Sequence, residues 1–327
     1  MIKTPQEMRA LTHDLSTSAW TLSAIGALLE SGLAEQLCEP RSVDALAERC
    51  TTLPAGHIGR CLAVAVEAGV VVADGALYRL AEGALPFAQA PGRTALKGEI
   101  RANLMQALAF LDSANGTGPA PGWRHTNAAL LQAQGDASSM FPPMFKAHLL
   151  ATLGDLGGRL EKPGARFLDV GVGVAALAIA MCQCWPELSV VGLDTFDVPL
   201  SIARQNVARA GLTARIELRD LAIEELRDET AFELAWLPSF FIPAGALAAA
   251  VARARASLRP GGWLIFPIAG APSGDRFRAV FGLINELWGG PVLSTPDAEA
   301  LLKAAGFSQV RVLPGPPTVG PLLAAQR

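Results

Sequence analysis

The sequence predicts an α/β protein in which a mostly helical, winged-helix-like N-terminal domain precedes a doubly wound, Rossmann-like parallel sheet. From Arg166 onward, short apolar strands alternate with helical segments, the pattern of a parallel sheet covered by helices on both faces. A length of 327 residues also suits two domains. We therefore expect three parts: residues 1–90, a helical connector and substrate lid over 91–160, and the sheet domain over 161–327.

Residues 1–90 have the element order of a winged helix. Apolar periodicity indicates a first helix from about Ser16 to Glu30, Ser42 is placed to cap a second, and a third runs from Pro54 to Gly69. Two short strands joined through Asp74-Gly75 form a hairpin.

A winged-helix-like domain can serve either to bind DNA or to bind another protein chain, and the sequence must decide between these two roles. A helix that reads DNA carries a basic stripe, yet residues 54–69 offer only His57 and Arg60. The net charge of −3 gives no general attraction to nucleic acid or anionic lipid. We expect no nucleic-acid partner, and a DNA-binding regulator is the weaker alternative. The apolar content of 51% indicates an additional buried surface such as a dimer interface.

Targeting features and cysteine usage indicate a cytoplasmic protein. The N-terminus lacks the apolar core of a secretory signal. The five cysteines are scattered without metal-ligand spacing, which predicts free thiols and no metal. Leu234 to Ala252 is apolar enough to suggest a membrane span, but Pro238 and Pro243 interrupt it. A buried strand followed by a helix explains the stretch better, so we expect no membrane partner.

The connector contains a helix rich in methionine and phenylalanine. A set of its side chains recurs at helical spacing and is predicted to share one face: Met140, Phe141, Met144, Phe145 and His148. Packing in the core and contact with a substrate are both open for this face.

A glycine turn after the first strand of the sheet is the central feature of the chain. The strand ends at Asp169 and leads through Gly171 and Gly173 into a helix. Glycines in such a turn let backbone N–H groups approach a ligand, and ligands bind at the carboxyl ends of strands in an open α/β sheet. The next strand ends at Asp194, whose carboxylate can accept both hydroxyls of a ribose. A nucleoside cofactor is therefore predicted.

The same turn also fits the dinucleotide fingerprint, so its neighbours decide between cofactors. Asp169 would point a negative charge at a pyrophosphate, whereas it suits the ammonium of a methionine. A third strand ends at Asp220, which suits an adenine amino group. These acids favour S-adenosylmethionine (SAM) over NAD, and an NAD-dependent oxidoreductase is the disfavoured alternative.

This series resembles the class I SAM-dependent methyltransferases over roughly residues 160–327. Asp169-x-Gly171-x-Gly173 is similar to their first motif, although Ala175 replaces the usual third glycine. Leu258–Gly262 is similar to the turn before their fifth strand. The resemblance implies SAM as cofactor, S-adenosylhomocysteine (SAH) as product, and a set of cofactor-binding residues: Asp169, Gly171, Gly173, Asp194, Thr195, Asp220, Leu221 and Leu237.

The block from Ala27 to Leu80 is similar to the N-terminal domain of the plant caffeate-type O-methyltransferases and their bacterial relatives. That domain dimerises in the family, so the resemblance implies a homodimer. It also implies that the helix before the first strand of the sheet lines the acceptor pocket. On that basis the substrate contacts would be Met140, Phe141, Met144, Phe145, His148 and Phe240.

The histidine base that plant-type enzymes carry just after the fourth strand has no counterpart here. Ser239 stands at that position, and His148 is the other catalytic candidate, with His125 as a further possible contact. An aromatic wall is expected from Phe240 and Phe241 with Trp236.

The missing base favours an acceptor that needs none, such as an amine, a thiol, a carboxylate or an acidic hydroxyl. The family resemblance implies methyl transfer to an O, N or S nucleophile of a small molecule, with secondary metabolism as the expected setting. A non-methylating use of SAM, such as its cyclisation, is the alternative.

Overall fold

A computed structural model describes residues 1–118, 122–269, 275–315 and 320–327, and only the backbone of residues 275, 277 and 278. The chain divides into two compact units. The first unit comprises Met1–Ala109 with Asp136–Met140, and the second comprises Phe110–Gly135 with Phe141–Arg327. The expected domain boundaries at residues 90 and 160 stay a prediction.

The first unit contains five helices and a hairpin. The helices are α1 Pro5–Glu30, α2 Leu33–Gln36, α3 Val43–Ala47, α4 Ala55–Glu67 and α5 Gly92–Ser113, whose last turn extends into the second unit. Strands β1 (Val71–Asp74) and β2 (Leu77–Leu80) pair antiparallel after α4. This is the predicted order of helix, turn, helix and hairpin.

The first helix begins earlier than its apolar periodicity predicts. Thr4 accepts a hydrogen bond from the backbone N–H of Glu7, and the Glu7 carboxylate accepts the backbone N–H of Thr4 in return. This capping box fixes the helix start at Pro5 rather than near Ser16. The added turns are exposed, so they leave no apolar pattern of burial.

The second unit is built on a seven-stranded sheet in the order β5-β4-β3-β6-β7-β9-β8. The five strands β3 to β7 are parallel, whereas β9 pairs antiparallel with both of its neighbours, β7 and β8. The strands are β3 Arg166–Val170, β4 Ser189–Asp194, β5 Ile216–Asp220, β6 Phe232–Trp236, β7 Leu258–Pro267, β8 Ser308–Leu313 and β9 Leu322–Gln326. The predicted doubly wound sheet is thereby confirmed, and Thr318 and Val319 of the predicted closing hairpin lie outside the described residues.

Helices connect and cover these strands. They are α6 Ala128–Asp136, α7 Phe141–Met144, α8 Leu156–Leu160, α9 Ala176–Cys184, α10 Asp197–Arg209, α11 Ala244–Ser257, α12 Asp275–Trp288 and α13 Thr295–Ala304. The sheet buries one apolar layer on each face, with Phe167 and Trp263 on one side and Leu168 and Phe266 on the other. Burial on both faces explains why the central strands are continuous apolar runs.

The order of the strands fixes where a ligand can bind. After β3 the chain moves outward to β4 and β5, and then returns to place β6 on the other side of β3. The strand order reverses between β3 and β6, and such a switch point opens a crevice at the carboxyl ends of the strands.

Candidate functional site

Asp169 and Asp194 lie at the carboxyl ends of the neighbouring parallel strands β3 and β4. Asp169 is in register with Gly192 of β4 and with Trp236 of β6, while Asp194 is in register with Asp220 of β5. The sheet therefore brings together at one edge the three acids that the sequence predicts for a nucleoside cofactor.

The turn after β3 has left-handed backbone at three alternate residues. The φ angles are +72° at Gly171, +54° at Gly173 and +66° at Ala175. Glycine adopts this conformation freely, whereas alanine at position 175 pays about 1 kcal/mol or more for it. Ala175 nonetheless starts α9 and is fully buried, so the surrounding packing holds the turn in this shape.

Gly192 is a site residue that the motif did not reveal. The Val172 backbone N–H donates to the Leu193 carbonyl at 2.8 Å, which carries the turn over β4. A Cβ atom at Gly192 would lie 2.6 Å from Cγ2 of Val172. The turn can therefore rest on β4 only because position 192 has no side chain.

Asp169 is a buried carboxylate that lacks a complete set of partners. Its side chain is 2% exposed, and its Oδ2 has no hydrogen-bond partner within the described part of the chain. Burial, and to a lesser degree the nearby Asp194 carboxylate, raises the pKa of Asp169 to about 8. A buried acid in this condition is stabilised by a cation. The ammonium of a methionine moiety therefore fits this position.

Asp194 is held rigidly by backbone donors. Its Oδ2 accepts the Gly173 N–H at 2.9 Å and its Oδ1 accepts the Phe196 N–H at 3.0 Å. Burial raises the pKa of Asp194, and hydrogen bonds from Gly173, Phe196 and Thr195 oppose that rise. An ionised carboxylate has about four acceptor positions, so one remains for a ribose hydroxyl beside these three donors.

Three of the four remaining predicted cofactor residues adjoin this acid, and the fourth, Leu237, does not. The Leu221 N–H donates to the Asp194 carbonyl at 3.0 Å, and Thr195 follows Asp194 directly. Asp220 is exposed at the same edge. Leu237 is fully buried and its N–H donates to the Ile265 carbonyl, so it belongs to the core behind the site.

The predicted shared face of the connector helix is divided in the structure. Phe141 contacts Trp236, with ring centroids 4.6 Å apart, while Phe145 is fully buried and His148 is exposed. Met144 is half-buried in the second unit, and Met140 belongs to the first unit. The five residues from Phe145 to Leu149 form a wider, π-helical turn, which shifts the phase of the helix and separates side chains that ordinary helical spacing would align.

A second aromatic cluster surrounds the short turn after β6. Ring centroids of Phe241 lie 5.0 Å from those of Trp123 and Trp288, and Phe240 lies 4.9 Å from Phe241. His125 contacts Trp123 edge-on at 4.8 Å, and burial lowers the pKa of His125. The neutral form of the His125 imidazole is therefore favoured. Among the described residues, His125 is the only histidine in this cluster.

Ser239 is committed to a structural contact. Its side chain is fully buried and its hydroxyl donates to the Pro267 carbonyl at 3.0 Å. The hydroxyl thereby ties the turn after β6 to the end of β7.

Asn285 is a further polar group that sequence patterns did not single out. It is 1% exposed, its Nδ2 donates to the Gly290 carbonyl at 2.6 Å, and its Oδ1 has no partner among the described residues. The Gly290 N–H donates to the Phe240 carbonyl at 3.1 Å, so Asn285 adjoins the aromatic cluster.

A search of the described residues for three or more clustered metal-ligating side chains finds none. Among these residues there is also no helix long and apolar enough to cross a bilayer.

Comparisons with known proteins agree with this geometry. A family model described as a methyltransferase domain matches residues 167–262, which span the acidic edge from β3 to β7. A release factor glutamine methyltransferase of Cereibacter sphaeroides is 29% identical over 188 residues, covering 50% of this chain and 60% of the relative. The chain thus spans about three fifths of that curated relative's length.

Solved structures match the fold over nearly the whole chain. A protein of Nostoc punctiforme described as an O-methyltransferase has a TM-score of 0.67 at 20% identity, covering 100% of both chains. Human N-acetylserotonin methyltransferase in complex with SAM has a TM-score of 0.65 at 19% identity, covering 100% of this chain and 99% of that one. The mitomycin 7-O-methyltransferase MmcR has a TM-score of 0.59 at 21% identity, covering 98% of each.

The comparisons and the acidic edge agree on the class that this chain resembles: residues 167–262 match a methyltransferase domain, and the sheet has the fold of the solved methyltransferase structures. The resemblance predicted from the sequence and the predicted Rossmann-like fold class are both confirmed. Over nearly the whole chain the fold is similar to that of these solved structures.

Proposed function

We propose that this chain is a SAM-dependent methyltransferase that acts on a small molecule. The observation that carries the proposal is the buried carboxylate of Asp169, which lies beside the Gly171–Gly173 turn and whose Oδ2 has no hydrogen-bond partner among the described residues. A cationic amino acid moiety linked to a nucleoside satisfies that carboxylate, whereas the pyrophosphate of a dinucleotide would repel it.

Three parts of the cofactor have matching residues. Asp169 accepts the methionine ammonium, and the turn at Gly171 and Gly173 lets the backbone approach closely. Asp194, held by Gly173 and Phe196, accepts a ribose hydroxyl. Asp220 lies in register with Asp194 and accepts the adenine amino group.

SAM, when bound, supplies a methyl group already activated by its sulfonium. The chain's main task is therefore to hold an acceptor atom in line with that methyl and to exclude water. The rings of Phe141 and Trp236 support an apolar wall, since Trp236 is in register with Asp169. An aromatic face beside a cation also contributes about 0.5–2 kcal/mol.

The acceptor side is assigned to the cluster around Phe240. His125 is the group there that can take a proton, because burial keeps its imidazole neutral. Asn285 offers a carbonyl oxygen, without a partner in the part of the chain that the structure describes, for a donor on the acceptor. Ser239 is assigned a positioning role, because its hydroxyl already donates a hydrogen bond to the Pro267 carbonyl. His148 is exposed and is assigned a peripheral role. The name of mitomycin 7-O-methyltransferase supports a small-molecule acceptor of secondary metabolism.

Helix α1 supports a homodimer. Four exposed apolar residues follow the spacing of a heptad seam along it: Met8, Leu11, Leu15 and Leu22. An apolar stripe of this length on an exposed stretch of helix is suited to a second copy of the same stripe. We also assign the protein to the cytoplasm, because free thiols, as predicted for its cysteines, are typical of a reducing compartment.

Binding and turnover test this function separately. Calorimetry with SAH on the full-length protein is expected to give one site per chain, and Asp194→Ala is expected to abolish it. Incubation with methyl-labelled SAM and a small-molecule extract should then yield SAH and a labelled product. Binding of a nicotinamide dinucleotide in place of SAH would contradict the proposal. Methylthioadenosine as the product would instead indicate non-methylating chemistry.

A further inference from the structure

The side-chain amide of Asn206 joins three elements of the second unit. From α10, its Nδ2 donates to the Val174 carbonyl and to Oε1 of Gln132, both at 2.9 Å. Its Oδ1 accepts a hydrogen bond from Arg209 at 3.0 Å. One amide therefore connects the glycine turn, the connector helix α6 and α10.

Helix α6 also touches the turn directly. A Cβ atom at Gly135 would lie 2.2 Å from Cγ2 of Val174, so the helix backbone packs on that side chain. Val174 is 1% exposed. Two independent contacts thus hold α6 against Val174: the hydrogen bonds through Asn206 and the packing of Gly135 on the Val174 side chain.

The Val174 carbonyl controls the orientation of a peptide plane in the turn. Because a peptide unit is planar, this carbonyl and the Ala175 N–H move together. Asn206 holds the carbonyl end, and the Val172 carbonyl accepts the Ala175 N–H at 2.8 Å. The plane is clamped at both ends, beside the strained left-handed conformation of Ala175.

We propose that Asn206 is a positioning residue that holds the Gly171–Ala175 turn in its ligand-binding shape and couples α6 to the cofactor site. The inference rests on the proposed SAM binding. Since coupling between two sites is reciprocal, an α6 that stabilises the turn is itself stabilised when the turn holds its ligand. Asn206 itself is not one of the residues proposed above to bind the cofactor.

The test uses SAH calorimetry on the full-length protein. Asn206→Asp conserves volume but replaces the Nδ2 donor with an oxygen that faces the oxygens of Val174 and Gln132. We expect SAH affinity to fall by about tenfold, a usual size for coupling between sites. Arg209→Gln is the matched control, because it removes only the contact to Oδ1 and leaves both Nδ2 bonds; its affinity should stay within about twofold of the wild type.

A second readout distinguishes coupling from simple damage. SAH is expected to slow amide hydrogen exchange in residues 128–135 of the wild type and not of Asn206→Asp. If Asn206→Asp does not fold, Gln132→Leu and Gln132→Glu replace it: glutamate keeps an acceptor for Nδ2 and should retain the protection, whereas leucine should lose it.

Unchanged affinity in Asn206→Asp, or no protection of residues 128–135 by SAH, would overturn the inference and leave the proposed function intact. A wild type that does not bind SAH would instead remove the proposed function first, before any variant is compared.

Discussion

The Asp194 carboxylate accepts the backbone N–H of Gly173 at 2.9 Å, so the acid at the end of β4 holds the turn that follows β3. Residue 194 thereby fixes the turn, and under the proposed function it also accepts a ligand. The two tasks use different acceptor positions of one carboxylate. Variants at the acidic edge consequently affect both folding and binding, and the predictions below separate the two.

Asp194→Asn is expected to lower SAH affinity by about tenfold or more, since a hydrogen bond to a charged group contributes about 1.5–3 kcal/mol. Its carbonyl oxygen can still accept the Gly173 N–H, so the protein should remain folded. Asp220→Asn is the control at the exposed neighbour and should have a smaller effect. Calorimetry measures both affinities, and equal losses would argue against a special role for Asp194.

The raised pKa of Asp169, about 8, makes stability of the ligand-free protein depend on pH. The unfolded chain loses this proton near pH ~3.9, so between that value and pH 8 the folded state holds the extra proton. The contribution to stability therefore falls as pH rises, by at most about 1.4 kcal/mol per pH unit. Asp169→Asn should lose this dependence. Urea unfolding at several pH values measures it, and identical slopes for both proteins would refute the assignment.

A cation that binds Asp169 should lower the pKa of that carboxyl, so ligand binding should release protons near neutral pH. We expect the apparent binding enthalpy of SAH to differ between buffers of different ionisation enthalpy. The difference should disappear in Asp169→Asn if that variant still binds. A wild-type enthalpy independent of buffer would contradict the predicted proton release.

Gly192→Ala is expected to destabilise the protein by about 1–3 kcal/mol, because its new methyl group would overlap Cγ2 of Val172. Val172→Ala removes the overlapping group, so the double variant should recover part of the loss. Chemical denaturation of the wild type, both single variants and the double variant gives the coupling energy. Additive effects would show that the two residues do not share this contact.

Leu11→Glu combined with Leu15→Glu should convert a dimer into a monomer, because the charges would lie in the proposed seam of α1. His13→Glu adds a charge to another face of the same helix and should leave the dimer intact. Light scattering coupled to size exclusion measures the mass. A monomeric wild type would remove the proposed interface.

Several site residues could be located from the sequence because their chemistry depends on local geometry. An apolar strand that ends in Asp169 and leads into Gly171 and Gly173 must turn sharply at the sheet edge. Asp194 and Asp220 then follow at the ends of the next two strands. Because β3, β4 and β5 pair in parallel, their carboxyl ends meet at one edge of the sheet and bring these acids together.

Other residues could not be found in this way. Gly192 is required only because Val172 lies above it, and Asn206 joins elements that are distant in the chain. The division between Phe145 and His148 depends on a π-helical turn that periodicity does not encode. The paired rings of Trp123 and Phe241 come from segments more than a hundred residues apart.

The sequence by itself determined the fold class and the acids of the candidate cofactor site, since these follow from strand patterning and turn chemistry within short segments. Only the tertiary structure decided which polar groups have a partner. Oδ2 of Asp169 has none within the described ranges, whereas the hydroxyl of Ser239 donates to Pro267. The physical reason is that hydrogen bonding and burial depend on neighbours from distant parts of the chain, and those neighbours are set by packing rather than by local sequence.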